Sequence, residues 1–171
     1  FLRCVGRNGK EVERIVVEDL NSSQQAEMIL EEARIYGRQL LAERIDPKPG
    51  IYELLELLDH LQIPKAVATA TDRDLTIERL NLLHHFDYML CGDEVTHRKP
   101  NPEIYQKVIQ HFGVESHKAL VLEDSTVGVE AAYRAHIPCI MIPDLIGAQA
   151  LQQQQTIAIL SSLHEVIELF E

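Results

Sequence analysis

The strongest constraint on the fold is the alternation of short apolar runs with amphipathic helical segments between residues 51 and 171. The apolar runs are continuous, which is typical of parallel strands buried on both faces. Strands that alternate with helices predict an α/β, Rossmann-like, doubly wound parallel sheet. We expect strands at 65–70, 87–91, 119–122, 138–142 and 156–160, helices at 51–61, 74–84, 103–112, 126–135 and 163–170, and an exposed connection at 152–155.

A different pattern precedes this region. Residues 9–20 and 23–44 place apolar side chains at helical spacing, and no strand pattern separates them. Two prolines and a glycine in the segment 46–50 predict a linker. We therefore expect a small helical unit at residues 1–46 and an α/β core at residues 47–171.

Composition limits the classes of function. The chain has 171 residues, with 16 Lys and Arg against 27 Asp and Glu, and a net charge of −11. Such an acidic protein repels phosphate backbones, so we expect neither a nucleic-acid partner nor a membrane. No apolar run is long enough for a membrane-spanning helix, and the segment after Phe1 and Leu2 is too polar for a signal peptide. The three cysteines form no CxxC pair, so we expect buried or idle thiols in a reducing cytoplasm.

Side chains suited to phosphate chemistry follow three of the predicted strands. Thr69 ends the first strand, Lys99 follows the second, and Glu123 and Asp124 follow the third. Because the carboxyl ends of parallel strands meet at one edge of a sheet, we expect these groups to lie together. Adjacent carboxylates repel each other unless a cation joins them, and Mg²⁺ suits oxygen ligands. The hydroxyl and the lysine suit a phosphate group. Alternatively, the two acids could simply favour a helix N-terminus.

Three tracts resemble motifs two, three and four of the haloacid dehalogenase superfamily, and most of all its phosphatase and β-phosphoglucomutase branch. They are VATATDR (67–73), GDEVTHRKPNPEIY (92–105) and VLEDSTVGVEAA (121–132). The segment PKPGIYELLELL (47–58) is similar to the family's return from cap to core. The resemblance implies a Rossmann-like core, and it identifies residues 1–46 as part of a helical cap domain.

The resemblance also implies roles for individual residues. Thr69 would hydrogen-bond the transferring phosphoryl group, and Lys99 would neutralise its charge and that of the nucleophile. Glu123 and Asp124 would hold Mg²⁺, directly or through water. The substrate-binding positions that the resemblance implies are Arg7 (in LRCVGR, 2–7), Ala70 and Arg73.

Two geometric expectations follow from these roles. The Lys99 ammonium should lie within direct or one-water reach of the Asp124 carboxylate. The Lys99–Pro100 peptide is expected to be cis, since prolyl bonds have little trans preference and the family often has a cis bond here.

One family motif is missing from the sequence. The superfamily's nucleophile lies in a DxDx[TV] motif at the end of the first core strand, and Asp72 and Asp74 have the DxD spacing but follow motif two. The chain begins with Phe1, so we expect the nucleophile to lie upstream and the chain alone to be inactive. We also expect the core to lack its first strand, which should leave two strands with unpaired backbone groups.

The leading functional hypothesis is a Mg²⁺-dependent phosphomonoesterase that acts on a small phosphorylated metabolite through an aspartyl-phosphate intermediate. A phosphosugar mutase is an alternative within the enzymes, and a non-catalytic binding module that retains the fold is an alternative from another class. Haloacid dehalogenation fits less well, because that branch needs no metal. We expect a monomer or a weak dimer.

Overall fold

The computed structural model describes residue 4, residues 9–42 and residues 47–170, and of residues 38–42 only the backbone is described. Eight α-helices and five β-strands occur in these ranges. The helices are α1 (Gly9–Leu20), α2 (Ser23–Ala42), α3 (Ile51–His60), α4 (Arg73–Arg79), α5 (Glu103–Phe112), α6 (Thr126–Arg134), α7 (Ala150–Gln155) and α8 (Leu163–Ile167). The strands are β1 (Ala66–Ala68), β2 (Tyr88–Leu90), β3 (Val121–Glu123), β4 (Cys139–Met141) and β5 (Ala158–Ile159).

All strand pairs are parallel, as the continuous apolar runs predict. β1 pairs with β2, so that Ala66 lies opposite Tyr88. In a second sheet β4 lies between β3 and β5, so that Val121 lies opposite Cys139. Among the residues that the structure describes, no strand lies between β1 and β3, and the core therefore contains two sheets rather than one.

β1 and β3 each have an edge that faces away from its own sheet. The N–H of Thr69 donates across to β2, and the carbonyl of Glu123 accepts from the segment after β4. Because alternate residues of a parallel strand bond in opposite directions, Ala66 and Ala68 of β1 and Leu122 of β3 face the other way. These open edges are the ones that a strand between β1 and β3 would pair with.

The larger core cluster joins the two sheets. It contains Leu90 of β2, Val121 of β3 and Met141 of β4, packed with Ile104 of α5 and Val129 of α6. Each of these side chains is at least 91% removed from solvent. The two sheets therefore share one hydrophobic interior, although no backbone ladder within the described residues connects them.

A second core cluster covers the opposite face of the β3–β5 sheet. Ile140 of β4 packs there with Leu54 of α3 and Val166 of α8. Ile140 and Met141 are adjacent, and their side chains point to opposite faces, as successive side chains of a strand do. Helices thus cover both faces of this sheet, which confirms the expected doubly wound α/β architecture.

Several predicted boundaries needed correction. α4 ends at Arg79 rather than at residue 84, and a separate 3₁₀ turn spans Leu83–His85. The segment 152–155, predicted to be an exposed connection, belongs to α7. Gln149 and Gln152 cap this helix reciprocally, and Gln152 is only 4% exposed. Glutamine tracts carry no apolar periodicity, so the sequence pattern could not show this helix.

The two N-terminal helices form where the sequence predicts them. α1 and α2 contact each other, and they bury Ile15 and Ala26. The Ser22 hydroxyl oxygen accepts a hydrogen bond from the N–H of Gln25 at 3.3 Å, which caps α2. The division at residue 46 remains a prediction. Within the described ranges, no helix combines the length and the apolar character that crossing a membrane requires.

Candidate functional site

The predicted site residues follow the carboxyl ends of β1, β2 and β3. A buried ion pair between Lys99 and Glu123 lies at this edge, with Lys99 Nζ 2.5 Å from Glu123 Oε1 and side chains only 7% and 8% exposed. Lys99 Nζ also donates to the carbonyl of Ala68 at 3.1 Å. Ala68 ends β1 and Glu123 ends β3, so this single ammonium group links the two sheets at their carboxyl ends.

Tyr105 completes the surroundings of this ion pair. Its hydroxyl donates to Glu123 Oε1 at 2.9 Å, and Lys99 Nζ lies 4.7 Å from the centre of its ring. Burial, together with the charge of Glu123, raises the pKa of Tyr105 well above its usual value, so the phenol stays protonated. The Lys99–Pro100 peptide is cis, as expected.

The second carboxylate oxygen of Glu123 is also occupied. Glu123 Oε2 accepts from the N–H groups of Asp124 and Ser125 and from the Ser125 hydroxyl, at 2.9–3.0 Å. Burial by itself raises the pKa of Glu123, but the Lys99 ammonium and these donors outweigh it and lower the pKa. Glu123 is therefore an ionised carboxylate with five protein donors, which is a different environment from the metal-facing one that we expected.

Gly128 shows how closely the structure encloses this carboxylate. A Cβ atom at position 128 would overlap the carboxyl group of Glu123. The N–H of Gly128 donates to Ser125 Oγ at 3.1 Å, which caps α6. The first turn of α6 therefore closes over Glu123, and only glycine leaves room for it.

Asp124 is the carboxylate of the pair that reaches solvent. It lines a small pocket together with Ser125, Thr126, Asp144, Leu145 and Ile146. Partial burial and the negative charge of Glu123 raise the pKa of Asp124, and Lys48 opposes that shift. This pocket thus presents the exposed Asp124 carboxylate beside other oxygen-bearing side chains, which is the chemistry that a hard cation suits.

Two residues at or beside this pocket were missed by the sequence analysis. Asp144 lines it, and Lys48 Nζ lies 3.4 Å from Asp144 Oδ1. Asp144 follows β4, so the strand-end rule that singled out Asp124 also applied to it. Lys48 lies in the proline-rich linker, and nothing in the sequence indicated that it would lie beside Asp144. The Lys99 ammonium contacts Glu123, and its expected direct or one-water reach to Asp124 stays a prediction.

The segment after β1 presents Thr69 half-buried and Ala70 exposed. The N–H of Thr71 donates to Thr69 Oγ1 at 3.1 Å. The N–H of Gly92 donates to the carbonyl of Thr71 at 2.9 Å, and a Cβ at position 92 would overlap the carbonyl of Ala70. The loops after β1 and β2 thus touch backbone to backbone, which positions Thr69 at the carboxyl edge.

Arg73, expected to bind substrate, has protein partners. Its guanidinium donates to Glu94 Oε1 and to the carbonyl of Met89, both at 3.0 Å, and its N–H donates to Asp93. The hydrogen bond that Arg73 donates to Glu94 raises the pKa of Arg73 above its usual value. Possible metal-ligand atoms of Cys91, Asp93 and Glu94 lie within 4.8 Å of one another. The two carboxylates, however, already accept hydrogen bonds from Arg73. Arg7, the other expected substrate arginine, lies outside the described residues.

Comparison with known proteins decides the family. The family model described as haloacid dehalogenase-like hydrolase matches residues 2–142. The chain belongs to the haloacid dehalogenase-like hydrolases. This confirms the family inferred from the three sequence motifs.

Individual members of this hydrolase family are similar over different shares of their length. A phosphorylated carbohydrates phosphatase from Thermotoga maritima is 33% identical over 176 residues, which cover 96% of this chain and 82% of the relative. A validoxylamine A 7′-phosphate phosphatase from Streptomyces hygroscopicus is 33% identical over 120 residues, covering 68% of this chain. This chain spans only 55% of the length of that second relative.

A solved structure agrees with this assignment. The crystal structure of a proposed β-phosphoglucomutase from Thermotoga maritima superimposes with a TM-score of 0.73 at 29% identity, covering 99% of this chain and 80% of that one. The named relatives are phosphatases, which supports a phosphatase-type hydrolase.

Proposed function

We propose that this haloacid dehalogenase-like hydrolase is a Mg²⁺-dependent phosphomonoesterase that acts on a small phosphorylated metabolite through an aspartyl-phosphate. The observation that supports this most is the buried Lys99–Glu123 ion pair between Thr69 and the Asp124 pocket. An ammonium held there by a carboxylate presents positive charge at the edge where ligands bind in such sheets. A phosphorylated carbohydrate is the proposed substrate class, from the similarity to a phosphatase of such compounds.

Two of the chain's own groups would bind and orient the phosphoryl group. The Thr69 hydroxyl donates to a phosphoryl oxygen, and Lys99 offsets the negative charge. Lys99 is held in place because Glu123 and the carbonyl of Ala68 accept hydrogen bonds from two of its three N–H donors. Glu123 therefore acts as a positioning residue.

Asp124 would hold the Mg²⁺ ion, and Asp144 and Thr126 line the same pocket. These oxygen donors fit the ion, since Mg²⁺ is bound in proteins by one or two carboxylates, with water and phosphate oxygens completing its shell. When bound, Mg²⁺ supplies positive charge that neutralises the phosphoryl oxygens during transfer. Asp124 keeps its carboxylate at the pocket surface because its backbone N–H is tied to Glu123.

The attacking aspartate is proposed to lie upstream, on a strand that fills the gap between β1 and β3. The open edges at Ala66, Ala68 and Leu122 would pair with such a strand. Its carboxyl end would then lie beside Lys99. The nucleophile attacks phosphorus and expels the alcohol, and water then hydrolyses the aspartyl-phosphate.

A phosphosugar mutase is the second candidate, because the structure of the proposed β-phosphoglucomutase covers 99% of this chain. In a mutase, a hydroxyl of a phosphosugar intercepts the phosphorylated aspartate before water does. Product analysis separates the two functions. A phosphatase releases inorganic phosphate, whereas a mutase returns an isomer of the phosphosugar. A non-catalytic module would do neither.

The test is an assay of the protein with its upstream segment against a panel of phosphorylated carbohydrates, with Mg²⁺ and with EDTA. We expect phosphate release that EDTA abolishes and that Asp124→Asn lowers by at least about a hundredfold, in the range measured when a key electrostatic group is removed. Glu78→Gln, which changes an exposed carboxylate on α4, is the control and should change little. Turnover that survives both EDTA and Asp124→Asn would refute the metal site.

The setting of the reaction is also a proposal. The three cysteines of the chain, Cys4, Cys91 and Cys139, are free thiols, which supports a reducing compartment such as the cytoplasm. The acidic net charge of −11 supports a small-molecule partner over a nucleic acid or a membrane. The expectation of a monomer or weak dimer stays a prediction.

A further inference from the structure

Arg98 makes a pair of contacts to the loop after β1 that neither the sequence motifs nor the proposed function uses. Its Nη1 donates to the carbonyl of Ala70 at 3.2 Å, and its Nη2 donates to Asp72 Oδ1 at 2.8 Å. We propose that Arg98 is a positioning residue that directs the Thr69 hydroxyl towards phosphate by holding the peptide between Ala70 and Thr71. This inference rests on the proposed function.

A single peptide unit, between Ala70 and Thr71, connects Arg98 to Thr69. Arg98 holds the carbonyl of Ala70, and the N–H of the same planar unit belongs to Thr71. That N–H donates to Thr69 Oγ1 at 3.1 Å. Because carbonyl and N–H are rigidly joined, fixing the carbonyl also fixes the direction of the N–H. A cation on the carbonyl also polarises the N–H and strengthens its hydrogen bond.

This peptide unit contacts the Thr69 hydroxyl. A threonine hydroxyl has one proton to donate and two lone pairs to accept with. One lone pair of Thr69 Oγ1 is taken by the Thr71 N–H, and no hydrogen bond donated by this hydroxyl occurs in the described part of the chain. The hydroxyl is thus anchored as an acceptor, and its proton is left to donate to an incoming phosphoryl oxygen.

Arginine suits position 98 because the side chain there has two partners, a carbonyl and a carboxylate. Asp72 precedes α4 as its N-cap, yet its side chain makes no cap hydrogen bond. Its carboxylate pairs with Arg98 instead. The two side chains are 36% and 52% exposed, so their ion pair contributes little stability. A planar guanidinium reaches carbonyl and carboxylate together, whereas a lysine has a single nitrogen.

The adjacent residue, Lys99, also donates to a backbone carbonyl beside Thr69. Lys99 donates to the carbonyl of Ala68, and Arg98 donates to the carbonyl of Ala70. Two consecutive cations therefore hold alternate carbonyls on either side of Thr69. On the far side of the peptide, the N–H of Gly92 binds the carbonyl of Thr71. The loop after β2 thus holds the segment that carries Thr69 at three carbonyls.

The test measures inorganic phosphate binding in the presence of Mg²⁺ by calorimetry, and the Thr71 amide by NMR. We expect Arg98→Ala to weaken phosphate binding by about tenfold, the scale of one charge-assisted hydrogen bond. The Thr71 amide should exchange faster with solvent and move upfield. Arg98→Lys should restore only part of both effects. Arg34→Ala, which breaks an exposed ion pair on α2, is the matched control and should change neither.

A double mutant separates positioning from a general electrostatic effect. If Arg98 acts through Thr69, then Arg98→Ala should weaken phosphate binding no further in a Thr69→Val background. Full additivity of the two changes would overturn the proposal, and so would an unchanged Thr71 amide. If the protein without substitutions binds no phosphate, the proposed phosphatase function is refuted. Phosphate as the ligand of the Thr69 hydroxyl is then refuted as well. The Thr71 amide would still show whether Arg98 holds the peptide.

Discussion

Lys99 and Glu123 form a buried ion pair that joins the carboxyl ends of two separate parallel sheets. A buried charge is costly unless it is paired and fully hydrogen-bonded, and Glu123 is both. The pair therefore serves two purposes at once. It holds a cation at the site, and it stabilises the place where the two sheets meet.

Removing one member of this pair should be strongly destabilising. We expect Lys99→Met to lower the free energy of unfolding by about 3–5 kcal/mol, because it leaves Glu123 ionised and buried without its partner. The double variant Lys99→Met/Glu123→Gln should recover part of that loss, since the remaining group is neutral. Urea unfolding measures both values. A loss below about 1 kcal/mol for Lys99→Met would mean that the pair is not buried, and Arg34→Ala provides the exposed control.

Gly128 offers a test of how tightly Glu123 is enclosed. We expect Gly128→Ala to cost about 1–3 kcal/mol, because the new methyl group overlaps the Glu123 carboxylate. Gly37→Ala is the matched control within α2, where a Cβ meets nothing within 4 Å. That change should stabilise the protein by about 0.5–1 kcal/mol. Thermal melting of the two variants gives the comparison, and equal effects at both sites would contradict the enclosed carboxylate.

How much of this site follows from the sequence can be judged from particular residues. Thr69, Lys99 and Asp124 were placed at one edge by the rule that parallel strands end together, and the family motifs agree. The choice of Glu123 rather than Asp124 as the partner of Lys99 could not be predicted. Adjacent residues at a strand end point in opposite directions, and tertiary packing decides which of them turns inward.

The partners of Arg73 and Arg98 could not be predicted from the sequence either. Both follow predicted strands, and the motif singled out Arg73, which pairs with Glu94. Arg98 contacts the loop that carries Thr69, and a lone arginine beside a motif lysine carries no sequence signal of its own. Their partners lie about twenty to thirty residues away in the chain, so only the fold reveals them.

Glu103 should give the loop after β2 a pH-dependent stability. Its carboxylate accepts from Lys107 and from the N–H groups of Thr96 and His97, and these donors lower its pKa from 4.5 to about 2. A carboxyl group with a lowered folded-state pKa stabilises the fold above its unfolded pKa, and that contribution is lost as the pH falls towards the folded value.

The measurement is the melting temperature of the protein minus that of Glu103→Gln, from pH 7 to pH 2. We expect a constant advantage for Glu103 above pH 5, which shrinks as the pH falls from 4.5 to about 2. Glu31→Gln on α2 is the control. A difference that grows on acidification has the wrong sign and would exclude this assignment.

The 171-residue chain alone should hydrolyse no phosphate monoester, even with Mg²⁺ present. Among the described residues, the carboxylates that end or follow β1 to β4 are already engaged or assigned to the metal pocket. Glu123 binds five donors, and Asp124 and Asp144 line the metal pocket. Asp72 pairs with Arg98, while Asp93 and Glu94 accept hydrogen bonds from Arg73. A phosphate-release assay on the purified chain tests this. Turnover above background would show that the nucleophile has been misplaced, and Asp72→Asn and Asp74→Asn would then be the first variants to make.

The gap between β1 and β3 should be visible in amide exchange. The N–H groups of Ala66 and Leu122 face the gap, whereas those of Val67 and Glu123 face the paired strands β2 and β4. Because an amide without a backbone partner exchanges without any opening of the ladder, Ala66 and Leu122 should exchange about tenfold or more faster than their neighbours. Residue-resolved exchange by NMR measures this in the 171-residue chain. A longer chain that carries the upstream strand should protect Ala66 and Leu122 as well as Val67 and Glu123. Equal protection of all four amides in the 171-residue chain would mean that the two edges are already paired, and the nucleophile strand could not then lie between them.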